Sequence, residues 1–579
     1  MKTGHLTLLL AAFFASACGP RAGEHTLTIL TTDDVHGAWF DSTYVGEGTK
    51  PSLFAVKYVI DSVRKADGPE NVLLLDAGDC LQGDNATYYY NFVDTLSPHP
   101  FPRLMAYMGY DAVVVGNHDI EAGHKVYDRV ARDLGAEGIP FLAGNVVRED
   151  DGSLYFPLYK VFKRAGLKVL VLGYTNPNMR AWLSSEALAG QRFLDLLPLV
   201  QHDVDSLRAI VKPHVVVVAT HSGVGDGDGS SLESQGLDLY RSLRGVDFVI
   251  CSHDHRQAVM CNDSIALLNG GSRARYVTDG KLTVTVKKGK VAGKSFGVSL
   301  LRVDKDRTDP GMKAAFRKEY ETVKAFTNRK IGTLEKDIRT REAFTGMSDY
   351  TNLVHLVQLE GSGADISIAA PLTYNGTIHA GDLVFNDLFT IYPYENQLFT
   401  LSMSGREIKG FLEYSYDLWL ADPGTGHVLG IVPRNDDRYQ QAGWSFDERS
   451  YNFDSAAGIN YTVDVSKPMG RRISISGMAD GSAFDEGKDY VVAMTSYRAS
   501  GGGDTIIEGA GIAHDEIDSR IVGRYKEIRD MVYDYIAGHP DIDSEMLFDK
   551  AALGEWKFIP EKKAREGIEK DMELLFGRR

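Results

Sequence analysis

The chain has 579 residues, 43% hydrophobic and 25% charged, which is ordinary for a soluble globular protein and long enough for more than one domain. A formal net charge of -16 and a pI near 5.5 argue against a groove for a nucleic-acid polymer, which needs a basic face. An anionic substrate would have to be captured by local cations or metal ions, not by the overall field.

Met1 to Cys18 has the make-up of an export signal. Lys2 supplies the positive start, Leu6 to Phe14 the apolar run, and Ala15-Ser16-Ala17-Cys18 a small-residue cleavage site. That run is too short to span a bilayer, and no later stretch reaches transmembrane length. A cysteine directly after small residues resembles the bacterial lipobox, in which the cysteine is lipidated, so Cys18 is a candidate lipid anchor. Ala15 stands where Leu is usual, and a plain secretory signal is the alternative. The expectation is an exported protein, periplasmic or a surface lipoprotein, with the lipid as its sole tie to a membrane.

From Thr26 to about Val303, short apolar strands alternate with helix-period segments, which argues for a layered α/β domain. The predicted strands are Leu27 to Leu30, Val72 to Leu75, Ala112 to Val115, Val169 to Leu172, Val215 to Val218 and Phe248 to Ile250. Predicted helices include Phe54 to Lys65 and Leu199 to Val211, the latter entered through Pro198. Ile265 to Val303 is strand-rich. Asp309-Pro310-Gly311 punctuates the chain before a charged helical run, Met312 to Lys330, which reads as a solvated connector. A second domain follows, with strands at Leu398 to Met403 and Tyr490 to Met494, and a capping-box pattern at Ser404-Gly405-Arg406-Glu407. The segment from Asp541 alternates acidic and basic residues. Three cysteines remain after the signal, Cys80, Cys251 and Cys261; they allow one internal bridge, with Cys251 and Cys261 the closer pair in sequence.

Chemistry-bearing residues gather just after the strands. Thr31-Thr-Asp-Asp-Val-His-Gly37 places Asp34 and His36 two apart, so an extended backbone points them the same way. Gly78-Asp-Cys-Leu-Gln-Gly-Asp84 suits a tight loop presenting Asp79. Asp111-Ala-Val-Val-Val-Gly-Asn-His-Asp119 is a buried strand running into Asn117 and His118, with Gly116 expected to let the chain turn. Val215 to His221 repeats the grammar, and Cys251-Ser-His-Asp-His255 offers two histidines at spacing two. Singly, a carboxylate or His at a strand's end is more often a turn or cap residue than a ligand. Five such sites in one domain are not independent accidents, because ligands of an open α/β sheet collect beyond the carboxyl ends of its strands. Two Asp, four His and one Asn make a nitrogen/oxygen shell without sulfur, which suits two divalent ions such as Zn, Mn, Fe or Mg.

These motifs, D-x-H, G-D-x-x-x-G-D, G-N-H, a lone His after a strand and S-H-x-H, resemble those of the calcineurin-like metallophosphoesterases. The match is to the bacterial 5'-nucleotidase and 2',3'-cyclic-nucleotide phosphodiesterase family, with Ser252 where the family usually has Gly. The resemblance implies an N-terminal four-layer metallophosphoesterase β-sandwich flanked by helices, plus a C-terminal α+β nucleotide-binding domain. It implies that Asp34, His36, Asp79 and His255 hold one metal and Asp79, Asn117, His221 and His253 the other, with Asp79 bridging. Two ions about 3.5–4 Å apart would activate a water for in-line attack on phosphorus and polarise the phosphoryl oxygens. His118 would stabilise the transition state or protonate the leaving group. Its carboxylate partner is expected at Glu121, where the family usually has Asp, with Asp119 as the rival.

In the second domain, Ile391 to Leu398 and Tyr497 to Asp504 resemble the family's base-binding loops. They imply Tyr394 and Tyr497 stacking on the base, with Asn396 and Asp504 nearby. Stacking of this kind is worth about 1–3 kcal/mol per base. Ala369 to Ile378 lacks the Arg that 5'-nucleotidases carry there, so Arg498 is the expected replacement, and Tyr497-Arg-Ala leans towards the cyclic-nucleotide branch. The expected division is a signal at 1–18, a catalytic domain at 25–308, a helical linker at 309–335, a substrate-binding domain at 336–540 and a tail at 541–579. The expected function is exported nucleotide hydrolysis, serving nucleotide catabolism and phosphate scavenging. A hydrolase of UDP-sugars or other phosphoesters, or an inactive surface binding protein, are the alternatives.

Overall fold

A computed structural model describes residues 20–183, 187–394, 396–434 and 443–577. The expected signal and Cys18 lie outside the described residues.

The first domain is built from two six-stranded sheets. One runs, edge to edge, Lys290–Arg302, Tyr276–Lys287, Gly23–Thr32, Val72–Asp76, Ala112–Val114, Phe141–Leu142. The other runs Gln257–Cys261, Ala266–Gly270, Phe248–Ile250, Val215–Thr220, Leu167–Tyr174, Tyr159–Arg164. The central strands of each sheet are parallel. Alternation inside continuous apolar runs explains the layering. Leu73 and Leu75 face inward to Val215, Val217, Phe248 and Ile250 of the other sheet. Val72 and Leu74 face outward onto the helices Leu53–Asp67, Pro100–Met108 and His124–Ala136. On the far side, Val216 and Val218 receive Leu196–Val211 and Gly236–Ser242. The result is four layers, helix, sheet, sheet, helix.

The second domain centres on a five-stranded sheet, Ser455–Ala457, Ile366–Ala369, Asp489–Thr495, Gln397–Ser404, Ile521–Glu527. Asp349–Ser362 and Ile528–Gly538 pack in one core cluster, Gly405–Trp419 and Glu561–Phe576 in another. The capping box at Ser404 and Glu407 is formed.

Three expectations are corrected. The connector is not a solvated helix: Pro310–Ala315 and Arg317–Thr327 break at Phe316, and Met312, Phe316 and Val323 are buried in the first domain's core. Those residues, with Tyr320 stacked on Tyr44 at 5.7 Å, form an apolar stripe at i, i+4, i+8 and i+11. Residues 541–577 are folded, not a tail. Trp556–Ile559 pairs in parallel with Ile459–Asp464, and buried Asp571 accepts from Val428 N at 2.7 Å and Leu429 N at 2.9 Å. Finally, Cys251 and Cys261 do not pair with each other and are free among the described residues: the first is buried just after Phe248–Ile250 and the second is exposed on an edge strand.

Candidate active site

The five motif segments all leave the carboxyl ends of parallel strands: Gly23–Thr32, Val72–Asp76, Ala112–Val114, Val215–Thr220 and Phe248–Ile250. Five of the seven expected ligands sit in left-handed backbone, Asp34 at φ 47, His36 at 46, Asp79 at 60, His253 at 75 and His255 at 55. Each such residue costs about 1–3 kcal/mol unless its surroundings over-determine it. Here they do: Asp34 N donates to Gly78 O at 3.1 Å and His36 N to Asp79 O at 2.8 Å, stitching two loops together. Gly116 is needed for a different reason than a turn. Its φ is -95, but a Cβ there would lie 2.1 Å from Asp79 Oδ1, so only glycine lets the two loops touch. Asp84 caps the helix Asn85–Tyr88 and pairs with Lys50, a structural duty.

Two groups of ligand atoms converge. In the first, Asp34 Oδ2 accepts from Ser252 Oγ at 2.7 Å and His253 N at 2.9 Å, while Oδ1 is buried with no hydrogen-bond partner among the described residues. That orphaned oxygen lies 4.0 Å from His36 Nε2 and 3.8 Å from His255 Nε2, and the two nitrogens are 2.9 Å apart. Burial holds the His36 imidazole well below its usual range and takes His255 down to about 3, so both keep lone pairs for a cation. In the second group, Asp79 Oδ2 is 3.1 Å from His221 Nε2, and Asn117 Oδ1 is 3.0 Å from His221 Nε2 and 2.8 Å from His253 Nδ1. Burial opposes charge on both partners of the Asp79–His221 pair. It is outweighed, because His221 holds Asp79 well below the usual carboxylate range and Asp79 lifts His221 to about 9. Oxygen and nitrogen donors, an orphaned carboxylate oxygen and convergence within 4.8 Å fit a pair of divalent cations.

His118 and its neighbours divide cleanly. His118 Nδ1 lies 2.5 Å from Glu121 Oε2, and the ring lines the cleft. Asp119 is fully buried and points elsewhere, accepting from Gly116 N (2.8 Å), Cys80 N (2.9 Å), Asp79 N (3.0 Å) and Leu81 N (3.0 Å). It clamps the loop that carries Asp79 and is not the partner of His118.

A cleft of about 1560 Å³ joins the two domains, with His36, Asp79, His118, His253 and His255 lining one part and Tyr394, Asn396 and Tyr497 another. Two sequence expectations fail here. Arg498 lines the cleft but is 2% exposed and spends its guanidinium on Asp454 Oδ2 (2.8 Å), Gly502 O (2.7 Å), Tyr451 O (2.6 Å) and Asn452 Oδ1 (3.0 Å). It braces the loop bearing Tyr451 and Tyr497 instead of meeting a phosphate. Asp504 is exposed at φ 58, outside the cleft lining, and only begins the following helical turn. Sequence reasoning missed Glu233 and Arg273, and it gave Tyr451 no role in the site. Glu233 Oε1 lies 2.6 Å from His253 Nε2, and it comes from a Gly/Ser-rich loop without motif spacing. Arg273 sits at φ 56 with its N–H on Asp34 O at 2.8 Å, and its charge helps lower His36 and His255. Tyr451 lies 6.5 Å from Tyr497, ring to ring, at 88°.

Residues 27–257 match the calcineurin-like phosphoesterases, and residues 330–508 match the 5'-nucleotidase C-terminal domain. Fold and site thus define a metal-dependent phosphoester hydrolase. The chain is 24% identical to the trifunctional nucleotide phosphoesterase YfkN of Bacillus subtilis, over 88% of this chain but only 38% of that longer protein. It is 22% identical to the 2',3'-cyclic-nucleotide 2'-phosphodiesterase/3'-nucleotidase of Haemophilus influenzae, over 95% of this chain and 90% of that one. A Staphylococcus aureus structure, provisionally assigned as a 5'-nucleotidase, superposes with a TM-score of 0.74 at 22% identity, covering 92% of this chain and 99% of that one. The chain belongs to the calcineurin-like phosphoesterases that carry a C-terminal 5'-nucleotidase domain.

Proposed function

We propose that this protein hydrolyses the phosphoester of nucleotides, binding phosphate at the ligand groups of the first domain and the base among the tyrosines of the second. The observation that carries the reading is the single cleft in which Asp79, His118, His253 and His255 share walls with Tyr394, Asn396, Tyr451 and Tyr497. Asp34, His36, Asp79 and His255 would hold one divalent ion and Asp79, Asn117, His221 and His253 the other. Bound there, the ions supply Lewis acidity towards the phosphoryl oxygens and lower the pKa of a water.

The chain's own residues do the rest. His118, whose Nδ1 lies 2.5 Å from Glu121 Oε2, would hand a proton to the leaving oxygen. Glu233 fixes the ring of His253 so that Nδ1 faces Asn117. Tyr394 and Tyr497 offer flat faces to a base, and Arg273, whose charge reaches His36 and His255, is a cation of the cleft wall suited to phosphate. With Arg498 engaged elsewhere and no Arg in Ala369 to Ile378, we favour 2',3'-cyclic or 3'-nucleotides over strict 5'-monophosphate specificity. Export through residues 1–18, with lipidation at Cys18, remains part of this reading.

The test is a panel of 5'-, 3'- and 2',3'-cyclic nucleotides and a nucleotide sugar, assayed with Mn, Zn, Fe or Mg after chelation. Nucleotide turnover that Asp79→Asn abolishes is expected. Metal-independent turnover, or stoichiometric binding without any turnover, would overturn it.

A further inference from the structure

One buried amide in the cleft has no task in the chemistry above. Gln358, on the helix Asp349–Ser362, is fully buried and lines the same cleft as Tyr394, Asn396 and Tyr451. Its Oε1 accepts from Ser367 Oγ at 2.8 Å, whereas its Nε2 has no hydrogen-bond partner among the described residues. Buried donors without acceptors are rare in folded proteins, because such a group has given up water and gained nothing.

The orientation of this amide is set from behind. His355, three residues earlier on the helix, is buried, and burial takes its imidazole down to about 3. It is therefore neutral near pH 7, with one donor and one acceptor nitrogen. Nδ1 lies 2.9 Å from Ser367 Oγ and Nε2 3.2 Å from Ser455 Oγ. Ser455 Oγ also donates to Ala369 O, at 3.4 Å. Ser367 Oγ donates to Gln358 Oε1, so the His355 nitrogen that faces it, Nδ1, carries the proton and donates to Ser367 Oγ. Ser367 thus holds the amide by its oxygen and leaves the Gln358 NH2 as the terminal donor.

We propose that Gln358 reads the base, its Nε2 donating to a ring nitrogen or carbonyl oxygen on the edge of a heterocycle held by the cleft tyrosines. Stacking alone accepts any aromatic face, so an edge-directed donor is what converts a sticky slot into a nucleotide site. The inference deepens the nucleotide reading and rests on it.

The test compares Gln358→Met, which keeps the length and deletes the donor, with Gln358→Glu, which keeps the shape and replaces the donor by an acceptor. The measured quantity is kcat/KM for a nucleotide divided by kcat/KM for its abasic counterpart carrying the same phosphoester. This ratio should fall about tenfold in Gln358→Met, the worth of one neutral hydrogen bond, and further in Gln358→Glu. Ser367→Ala, which frees the amide without removing it, should fall between wild type and Gln358→Met. Melting curves check folding, and if Gln358→Met does not fold, the other two variants carry the comparison. A wild-type preference for the nucleotide that the variants keep in full overturns this inference alone. No preference in the wild type strikes the nucleotide reading, and the inference with it.

Discussion

Asp119→Asn separates two carboxylates that stand two residues apart beside His118. The Asp119 side chain takes four backbone N–H groups at 2.8–3.0 Å, two on each oxygen, from Gly116, Asp79, Cys80 and Leu81. An asparagine amide can accept only through its one oxygen, so whichever way it turns, two buried N–H groups meet an NH2 donor. Each orphaned donor costs about 1–3 kcal/mol, which puts the loss at about 4 kcal/mol, a large part of a typical stability of about 5–15 kcal/mol. The freed segments carry Asp79, Asn117 and His118, so metal affinity should fall together with stability. Denaturant unfolding of the chelated protein measures the first quantity, and metal titration the second. An unfolding free energy within about 1 kcal/mol of wild type, with unchanged metal affinity, would refute the clamp.

Other substitutions probe the remaining assignments. Glu121→Gln removes the charge held 2.5 Å from His118 Nδ1 and should lower kcat about 10- to 100-fold while leaving metal affinity and melting temperature alone. Loss of metal would instead mean that Glu121 supports the ligand shell. Glu233→Ala should weaken metal binding at the group formed by Asp79, Asn117, His221 and His253 about 10- to 100-fold, read by titration, with the other group unaffected. Equal weakening of both would count against the pairing with His253. Burial takes His99 down to about 3, below its ordinary 6.5, so between those values the unfolded chain binds a proton that the native state does not. Stability therefore declines as pH falls below 6.5, by about 2 kcal/mol from this group at pH 5. His99→Asn should flatten that part of the pH–stability curve, and parallel curves for the two proteins would contradict it.

Sequence and structure contributed differently, and Asn117 to Glu121 shows how. The pattern of an apolar strand followed by Asp, Asn or His was legible at all five places, because parallel strands must deliver their ends to one edge. The convergence of Asp34, His36, Asp79, Asn117, His221, His253 and His255 follows from that grammar and from the family resemblance. The choice between Asp119 and Glu121 was only partly legible: the family's spacing of three residues pointed to Glu121 and left Asp119 as the rival. It is settled by helix geometry: three residues along, Glu121 returns to the face of His118, while Asp119 points about 100° away into the neighbouring loop.

The second domain was harder for the same reason. Arg498 looked available as a phosphate ligand until Asp454, 44 residues away, and the Tyr451 loop were seen to consume it. Gln358 gave no signal at all, being one of several polar residues, with Asn352, His355 and Glu360, on the same helix. The sequence by itself determined the class of fold, the chemistry of the ligand shell and the presence of a second, aromatic-bearing domain, because these are written in local periodicity and in short motifs. Only the tertiary structure decided which polar side chains face the cleft and which are already spent. A hydrogen bond between residues far apart in the chain leaves no mark on the spacing around either one.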